Sequence, residues 1–314
     1  MIDLTSKRVL VTGGAGFFGQ HIVSELHQRG CREVSAPTSI EYDLRVKEQI
    51  DTVLQKTVPD IIIHCAAHCG GIGLNKERPA DLFYDNALMG ILLMHAAHKQ
   101  GVEKFVQLGT VCEYPKFTPV PFNENDLWNG YPEETNAPYG IAKKSLMVMG
   151  QAYRDQYKFN VIHLLPVNLY GPHDNFNPSS SHVMPALIRK FYEATINAQS
   201  PVSVWGSGNA FREFLYIEDA AKAVVMATEK YDGGAPVNIG TGCTTAISDL
   251  VTMIAQKVGY TGEILFDSTM PDGQPERCLN TERALQEFGF TARTTLSEGL
   301  DKTIAWYIKQ QENM

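Results

Sequence analysis

Lys7-Arg8-Val9-Leu10-Val11-Thr12-Gly13-Gly14-Ala15-Gly16-Phe17-Phe18-Gly19 is the stretch that decides the fold. A short apolar run leads into glycines at 13, 16 and 19, after which Ile22, Val23 and Leu26 keep a helical stripe up to Gly30. A strand, a tight glycine turn and a helix form the dinucleotide fingerprint. Glycines let the backbone approach a pyrophosphate, which then sits on the helix N-terminus. The spacing predicts an α/β chain built on a doubly wound, parallel Rossmann sheet.

Working outward, the next strand is expected at Glu33 to Ala36. An acid at its end would hold a ribose 2′-hydroxyl, and an arginine would suit a 2′-phosphate. The chain reads Pro37-Thr38-Ser39 there, with neither. The missing acid tilts the choice toward NADP, with Ser39 and Thr38 as phosphate donors. In Tyr42-Asp43-Leu44, Asp43 is placed either to meet the adenine amino group or to cap a helix. Asp60 to Ala67 reads as a buried parallel strand whose small end, Ala66-Ala67, would floor a cofactor. Gly70-Gly71-Ile72-Gly73 reads as a loop, closing over substrate or simply turning. Asp85 to Gln100 is a helix whose Leu88, Leu92 and His95 read as core or subunit interface.

Phe105 to Leu108 is the next strand, running into Gly109-Thr110-Val111-Cys112. Ligands in such sheets sit beyond the carboxyl ends of strands, which places Thr110 and Cys112 for chemistry. Pro115 to Pro138 is expected to be a covering loop. Then comes Pro138-Tyr139-Gly140-Ile141-Ala142-Lys143, in which Tyr139 and Lys143 share one helical face. A nearby ammonium favours a phenolate, so the pair predicts a tyrosine that exchanges protons near neutrality, as carbonyl reduction requires. Val161 to Leu165 is a further strand, Glu218 starts a further helix, and Val237 to Gly240 reads as the last strand.

At 314 residues, with 44% hydrophobic and 20% charged residues, the composition is that of a soluble protein of about two domains. A net charge of −8 and a pI near 5.6 exclude a nucleic-acid partner. No apolar run reaches membrane-spanning length, and no signal-peptide pattern opens the sequence. Six scattered cysteines suggest free thiols in a reducing, cytoplasmic compartment, and Cys65 and Cys69 lack the second pair that a zinc site needs.

Beyond these readings, the chain resembles the extended short-chain dehydrogenase/reductases, and within them the family that makes GDP-L-fucose. The resemblance covers nearly all of it. It rests on Gly70-Gly71-Ile72, on Cys112 in Cys-Glu-Tyr-Pro, on Tyr139 to Lys143, and on Asn168-Leu169-Tyr170-Gly171-Pro172-His173-Asp174-Asn175-Phe176. Ser181-His182-Val183-Met184-Pro185-Ala186-Leu187 and Trp205-Gly206-Ser207-Gly208 complete the match.

The resemblance implies a homodimer that epimerises GDP-4-keto-6-deoxy-D-mannose at carbons 3 and 5, then reduces its 4-keto group with NADPH. A ketone acidifies both neighbouring carbons, so inversion needs a base on one side and an acid on the other. By resemblance Cys112 is that base, His182 the acid, Tyr139 the proton donor to the 4-oxygen, Lys143 its partner and Thr110 a third hydroxyl. Lys190, Trp205, Arg212 and Asp272 match substrate positions. The cofactor is expected against Gly13, Gly14, Ala15, Gly16, Phe17, Phe18, Gly19, Ser39, Asp43, Leu44, Ala66, Ala67, Leu108, Gly109, Thr110, Val111, Tyr139, Lys143, Pro166, Val167, Asn168, Leu169 and His182. Residues 1–172, with 213–242 returning to them, are expected to form the NADP-binding domain, and 173–212 with 243–314 a smaller α/β substrate domain.

Departures from that family narrow the expectation. Thr110-Val111 keeps one hydroxyl where two are common, and Lys190 stands where an arginine is usual. Pro275-Glu276-Arg277-Cys278 has an acid where a base is expected. A related GDP-4-keto-sugar, such as a heptose, or the loss of one activity therefore remains the alternative. A 4,6-dehydratase would want Thr-Asp-Glu after the strand. A plain 4-epimerase has no use for Cys112 and His182, and a non-catalytic nucleotide sensor would not need the whole set.

Overall fold

A computed structural model describes residues 1–178, 180–270 and 272–312. The chain runs through β1 (Arg8–Thr12), α1 (Phe17–Gln28), β2 (Glu33–Ser35), α2 (Lys47–Thr57), β3 (Ile61–His64), α3 (Ile72–Glu77), α4 (Pro79–Lys99), β4 (Lys104–Leu108), α5 (Ala137–Tyr157) and β5 (Asn160–Pro166). Strand Val237–Ile239 joins them in a six-stranded sheet, ordered Val237–Ile239, β5, β4, β3, β1, β2, with every pair parallel. After β2 the chain returns across β1 to lay down β3. That reversal opens a crevice beyond the carboxyl ends of the strands.

Both faces of the sheet are covered, because parallel strands alternate apolar side chains to either side. Val9, Val11, Ile63, Val106 and Ile162 pack under Ile22 and Leu26 of α1 and Val224 of helix Ile217–Lys230. Leu10, Ile62, Phe105 and Val161 pack under Ile50 and Leu54 of α2 and Leu93, Met94 and Ala97 of α4. A second core gathers Met184, Ile188 and Phe191 of helix Val183–Ile196 with Val202, Val204, Leu250, Ile254 and Ile304. Residues 279–290 return to the first core through Leu279, Ala284, Phe288 and Phe290. His173, at φ 69°, sits between His21 of α1 and Trp306, with ring centroids 5.9 and 4.8 Å away, and so fastens the two cores together.

The structure revises several boundaries. α4 begins at Pro79, where a proline suits the first turn, rather than at Asp85. Its buried stripe is Leu93, Met94 and Ala97, whereas Leu88, Leu92 and His95 lie on the half-exposed side, where His95 Nδ1 is 2.7 Å from the Tyr153 hydroxyl. Gly70-Gly71 leads into α3 and is seated on the Ser180-Ser181 backbone: Gly71 donates its N–H to the Ser180 carbonyl at 3.2 Å. Strands follow Val237–Ile239, at Thr245–Ala246, Ile264–Asp267 and Glu276–Arg277. The 115–138 segment is fastened rather than loose. Phe122 is buried, and the Asn238 side-chain amide donates to its carbonyl.

Lys104 opens β4 fully buried, donating its ammonium to the carbonyls of Ala227, Thr228 and Tyr231 at the end of helix Ile217–Lys230. A cation there complements the helix dipole and satisfies otherwise unpaired carbonyls, although burial pulls the ammonium down to about 8. Lys104→Met is expected to cost about 2–4 kcal/mol, because three buried carbonyls lose their donor. A lower midpoint in thermal or urea unfolding checks this.

Candidate active site

A single cleft of about 1630 Å³ runs along the carboxyl ends of the strands. That exceeds the room a single small ligand usually fills and suits two nucleotides end to end. Among the described residues no cluster of His, Cys, Asp and Glu is placed to hold a metal, and no helix is long and apolar enough to cross a membrane.

At one end lies the glycine turn. Gly13 has φ +70°, and a Cβ there would stand 2.8 Å from the Ala66 backbone, so only glycine lets β1 turn against β3. Gly16 precedes α1 with no side-chain capping bond, leaving first-turn N–H groups free for an anion. This cradle fits a dinucleotide pyrophosphate. Gly14 does not line the cleft: a Cβ on it would lie 2.6 Å from Ala36 Cβ, so it lets the turn pack against the end of β2 instead.

Further along this end, two residues of the cleft wall are already engaged by neighbours. Thr38 directs both its N–H and its hydroxyl onto the Glu41 carboxylate, at 2.8 and 2.9 Å, and offers a phosphate nothing. Asp43 is gripped by the Arg45 guanidinium at 2.8–3.2 Å, which holds its carboxyl below the usual range. Arg45 also reaches Asp85 and lines the cleft. Ser39 and Leu44 line the same wall.

The centre is built by close packing of α5 on the turn after β4. A Cβ on Gly140 would lie 2.2 Å from the Cys112 carbonyl, so only glycine lets Tyr139 come up beside that turn. Thr110 begins the turn. Its Oγ1 accepts the Cys112 N–H at 3.2 Å, which leaves the hydroxyl hydrogen free to donate. Thr110, Cys112, Tyr139 and Lys143 all face the cleft, with Ala15, Phe17, Phe18, Gly19, Ala66, Ala67, Leu108, Gly109, Val111, Pro166, Val167, Asn168 and Leu169 around them. His182 is the N-cap of helix Val183–Ile196 without a capping bond from its ring, and it lines the same space.

The electrostatics differ from expectation at Tyr139. Burial pushes its phenol well above the ordinary value, and the Cys69, Cys112 and Glu113 groups add to the shift. Lys143 does not counter this, because its own ammonium is desolvated and pulled down. The tyrosine therefore keeps its proton, the form a donor needs. Burial also pulls His182 down.

At the far end, strand Phe211–Arg212 pairs with Glu276–Arg277, setting Arg212 and Arg277 side by side in register. Desolvation and the second cation pull Arg212 down to about 10, while Asp272 opposes the shift. Two adjacent guanidiniums facing a cleft could hold a diphosphate. Asp272 reaches the cleft with its carboxylate already accepting Ser207 N–H and Oγ–H, at 2.6 and 2.7 Å, and so latches the loop after Trp205. Lys190 donates to the Ser203 carbonyl at 2.7 Å, and Trp205 is largely exposed on the wall. Sequence reading missed Arg277, for which only the strand register speaks. It also missed Glu113, although Thr110-Val111-Cys112-Glu113 has the spacing of a capping box.

Comparison with known proteins agrees with this geometry. A model of the NAD dependent epimerase/dehydratase family matches residues 9–240. The chain is 38% identical to GDP-L-fucose synthase 1 of Arabidopsis thaliana, over 97% of this chain and 94% of that protein. Its fold is similar to a GDP-L-fucose synthetase from Naegleria fowleri bound to NADP, with TM-score 0.89, 26% identity, and 98% and 95% of the two chains covered. It is similar also to a GDP-6-OMe-4-keto-L-xylo-heptose reductase from C. jejuni, with TM-score 0.90, 25% identity, and 98% and 99% covered. With the glycine cradle, the Tyr139–Lys143 helix and a matching length throughout, the chain belongs to the NAD dependent epimerase/dehydratase family, within the extended short-chain dehydrogenase/reductases.

Proposed function

We propose that the protein epimerises GDP-4-keto-6-deoxy-D-mannose at carbons 3 and 5 and reduces the 4-keto group to give GDP-L-fucose. The observation that carries this reading is the meeting of Cys112, Thr110 and Tyr139 in one cleft, with a nucleotide cradle at one end and the Arg212–Arg277 pair at the other. The arginines would hold the GDP diphosphate, with Lys190, Trp205 and Asp272 shaping the wall. Cys112 would take a proton from a carbon beside the ketone, and His182 would return one from the other side. Tyr139, protonated because it is desolvated, would give its proton to the 4-oxygen, while Thr110 donates a hydrogen bond to the same oxygen. Bound NADPH supplies the hydride; Gly13, Gly16 and α1 would hold its pyrophosphate, and Arg45 its 2′-phosphate.

In this reading residues 1–172 and 213–242, with 279–290 packed into the same core, carry the cofactor, and 173–212 with the rest of 243–314 the sugar nucleotide. Two chains would pair through α4 and α5, whose Phe83, Tyr84, Ile91 and Val148 leave apolar surface exposed, in a cytoplasmic homodimer.

Incubating the protein with the keto-sugar and NADPH in deuterated water tests this. The expected result is NADPH oxidation with deuterium at carbons 3 and 5. Oxidation without deuterium would favour the second reading, a GDP-4-keto-sugar reductase, to which the heptose reductase neighbour and the loss of a second hydroxyl at Val111 point. Arg277→Met is expected to raise KM for the GDP-sugar about 10- to 100-fold, the loss of one charge-assisted contact, with kcat little changed. An unchanged KM would remove Arg277 from the diphosphate site.

A further inference from the structure

Four polar side chains stand in one row across the sheet face that carries α4 and α5. Strand register pairs Thr12 with His64, His64 with Gln107, and Gln107 with His163, one residue each from β1, β3, β4 and β5. The row two residues earlier, Leu10, Ile62, Phe105 and Val161, is wholly apolar. The polar row is nonetheless buried, at 2%, 0%, 0% and 4% exposure. Burying such groups is costly unless they are paired, yet His64 Nε2, Gln107 Oε1 and His163 Nδ1 have no partner among the described residues. Neighbouring strands lie about 4.8 Å apart, so Gln107 stands between two imidazoles with its carbonyl oxygen uncommitted.

The ends of the row are tied. Thr12 Oγ1 is 2.8 Å from His64 Nδ1. At the other end His163 Nε2 lies 3.1 Å from each carboxylate oxygen of Glu113, which has no exposure at all. Glu113 Oε1 also accepts the Thr110 N–H at 3.0 Å. The fit leaves no slack: a Cβ on Gly109 would stand 2.3 Å from both Glu113 Oε1 and His163 Nε2. Lys144 secures the turn from α5 by donating to the Glu113 carbonyl at 3.3 Å. The turn that carries Thr110 and Cys112 thus rests on a carboxylate, and the carboxylate rests on an imidazole from the neighbouring strand.

We propose that Glu113 and His163 are positioning residues for Cys112 and Thr110, with the His163 ring donating Nε2–H to Glu113. An ionised carboxylate only accepts, so Thr110 N–H and His163 Nε2–H together fix its plane and with it the turn. A thiol that must meet a carbon-bound proton tolerates little displacement. The inference rests on the epimerase-reductase reading above, and it gives these buried groups a role in that chemistry.

The test uses the full chain with Glu113→Ala, Glu113→Gln and His163→Leu, assayed below their measured melting temperatures. Glu113→Ala and His163→Leu are expected to lower kcat for deuterium incorporation about 10-fold or more, with the KM of the GDP-sugar unchanged. Glu113→Gln keeps an acceptor for Thr110 N–H and is expected to recover most of that loss. An unchanged kcat in Glu113→Ala, or equal losses in Ala and Gln, would overturn the proposal. Nitrogen-15 spectra of the histidine rings give a second readout: His163 Nε2 should carry the ring proton in the unmodified protein and lose its fixed state in Glu113→Ala. A bare Nε2 in the unmodified protein would also overturn it. Should that protein show no exchange at all, the functional reading fails and the histidine spectrum alone decides the positioning pair.

Discussion

Tyr139→Phe is expected to lower the rate of 4-keto reduction about 10²- to 10⁴-fold, the range ascribed to loss of a positioned general acid, while NADPH binding survives. Phenylalanine keeps the ring that packs beside the Cys112 turn, and Gly140 keeps the close approach of α5, so the cleft retains its shape. Only the proton disappears. Because burial raises the phenol well above its ordinary value, the unmodified enzyme should hold that proton across the neutral and mildly alkaline range. Its reduction rate should then show no fall with rising pH until conditions are strongly alkaline, since a donor acts only below its own pKa. Stopped-flow oxidation of NADPH, with a fluorescence titration of NADPH binding alongside, measures both quantities. Undiminished oxidation in the phenylalanine variant would remove Tyr139 from the role.

Cys112→Ser is expected to reduce deuterium incorporation beside the ketone by a similar about 10²- to 10⁴-fold. The change is nearly isosteric, and the Cys112 backbone N–H keeps its bond to Thr110 Oγ1, so misfolding does not explain a loss. The difference is chemical. A thiol ionises near ~8.5 and offers a populated base close to neutrality, whereas an aliphatic hydroxyl does not. NADPH should still bind, because the glycine cradle that grips it is separate from the Cys112 turn. Mass spectrometry of the recovered sugar nucleotide reads the exchange. Incorporation at the unmodified rate would hand the base role to another group, such as Cys65 or Cys69, the other thiols on the cleft wall.

Much of this molecule was legible before any coordinates. β1, the Gly13 turn and α1 are local: an apolar run, a residue free to adopt positive φ and a helical stripe specify them within about twenty positions of one another. The i, i+4 spacing of Tyr139 and Lys143 likewise needs only a helix to place both on one face. The boundaries that shifted, at α4 and at the strands after Ile239, were weak in local signal, because Pro79 opens a helix as readily as it ends one.

What the tertiary structure alone decided concerns pairs far apart in the chain and the removal of water. Arg277 became part of the site because strand Glu276–Arg277 lies in register with Arg212. Glu113 met His163 because β4 and β5 are neighbours. Thr38 lost its donors to Glu41, and Asp43 its free carboxylate to Arg45. The phenol of Tyr139 rose instead of falling, because folding removed it from water and set thiols and a carboxyl group around it. Residue types and spacing determined which chemical groups the cleft would contain. Their partners and their protons were set by packing, since hydrogen-bond geometry and dielectric exist only once distant segments have excluded water from one another.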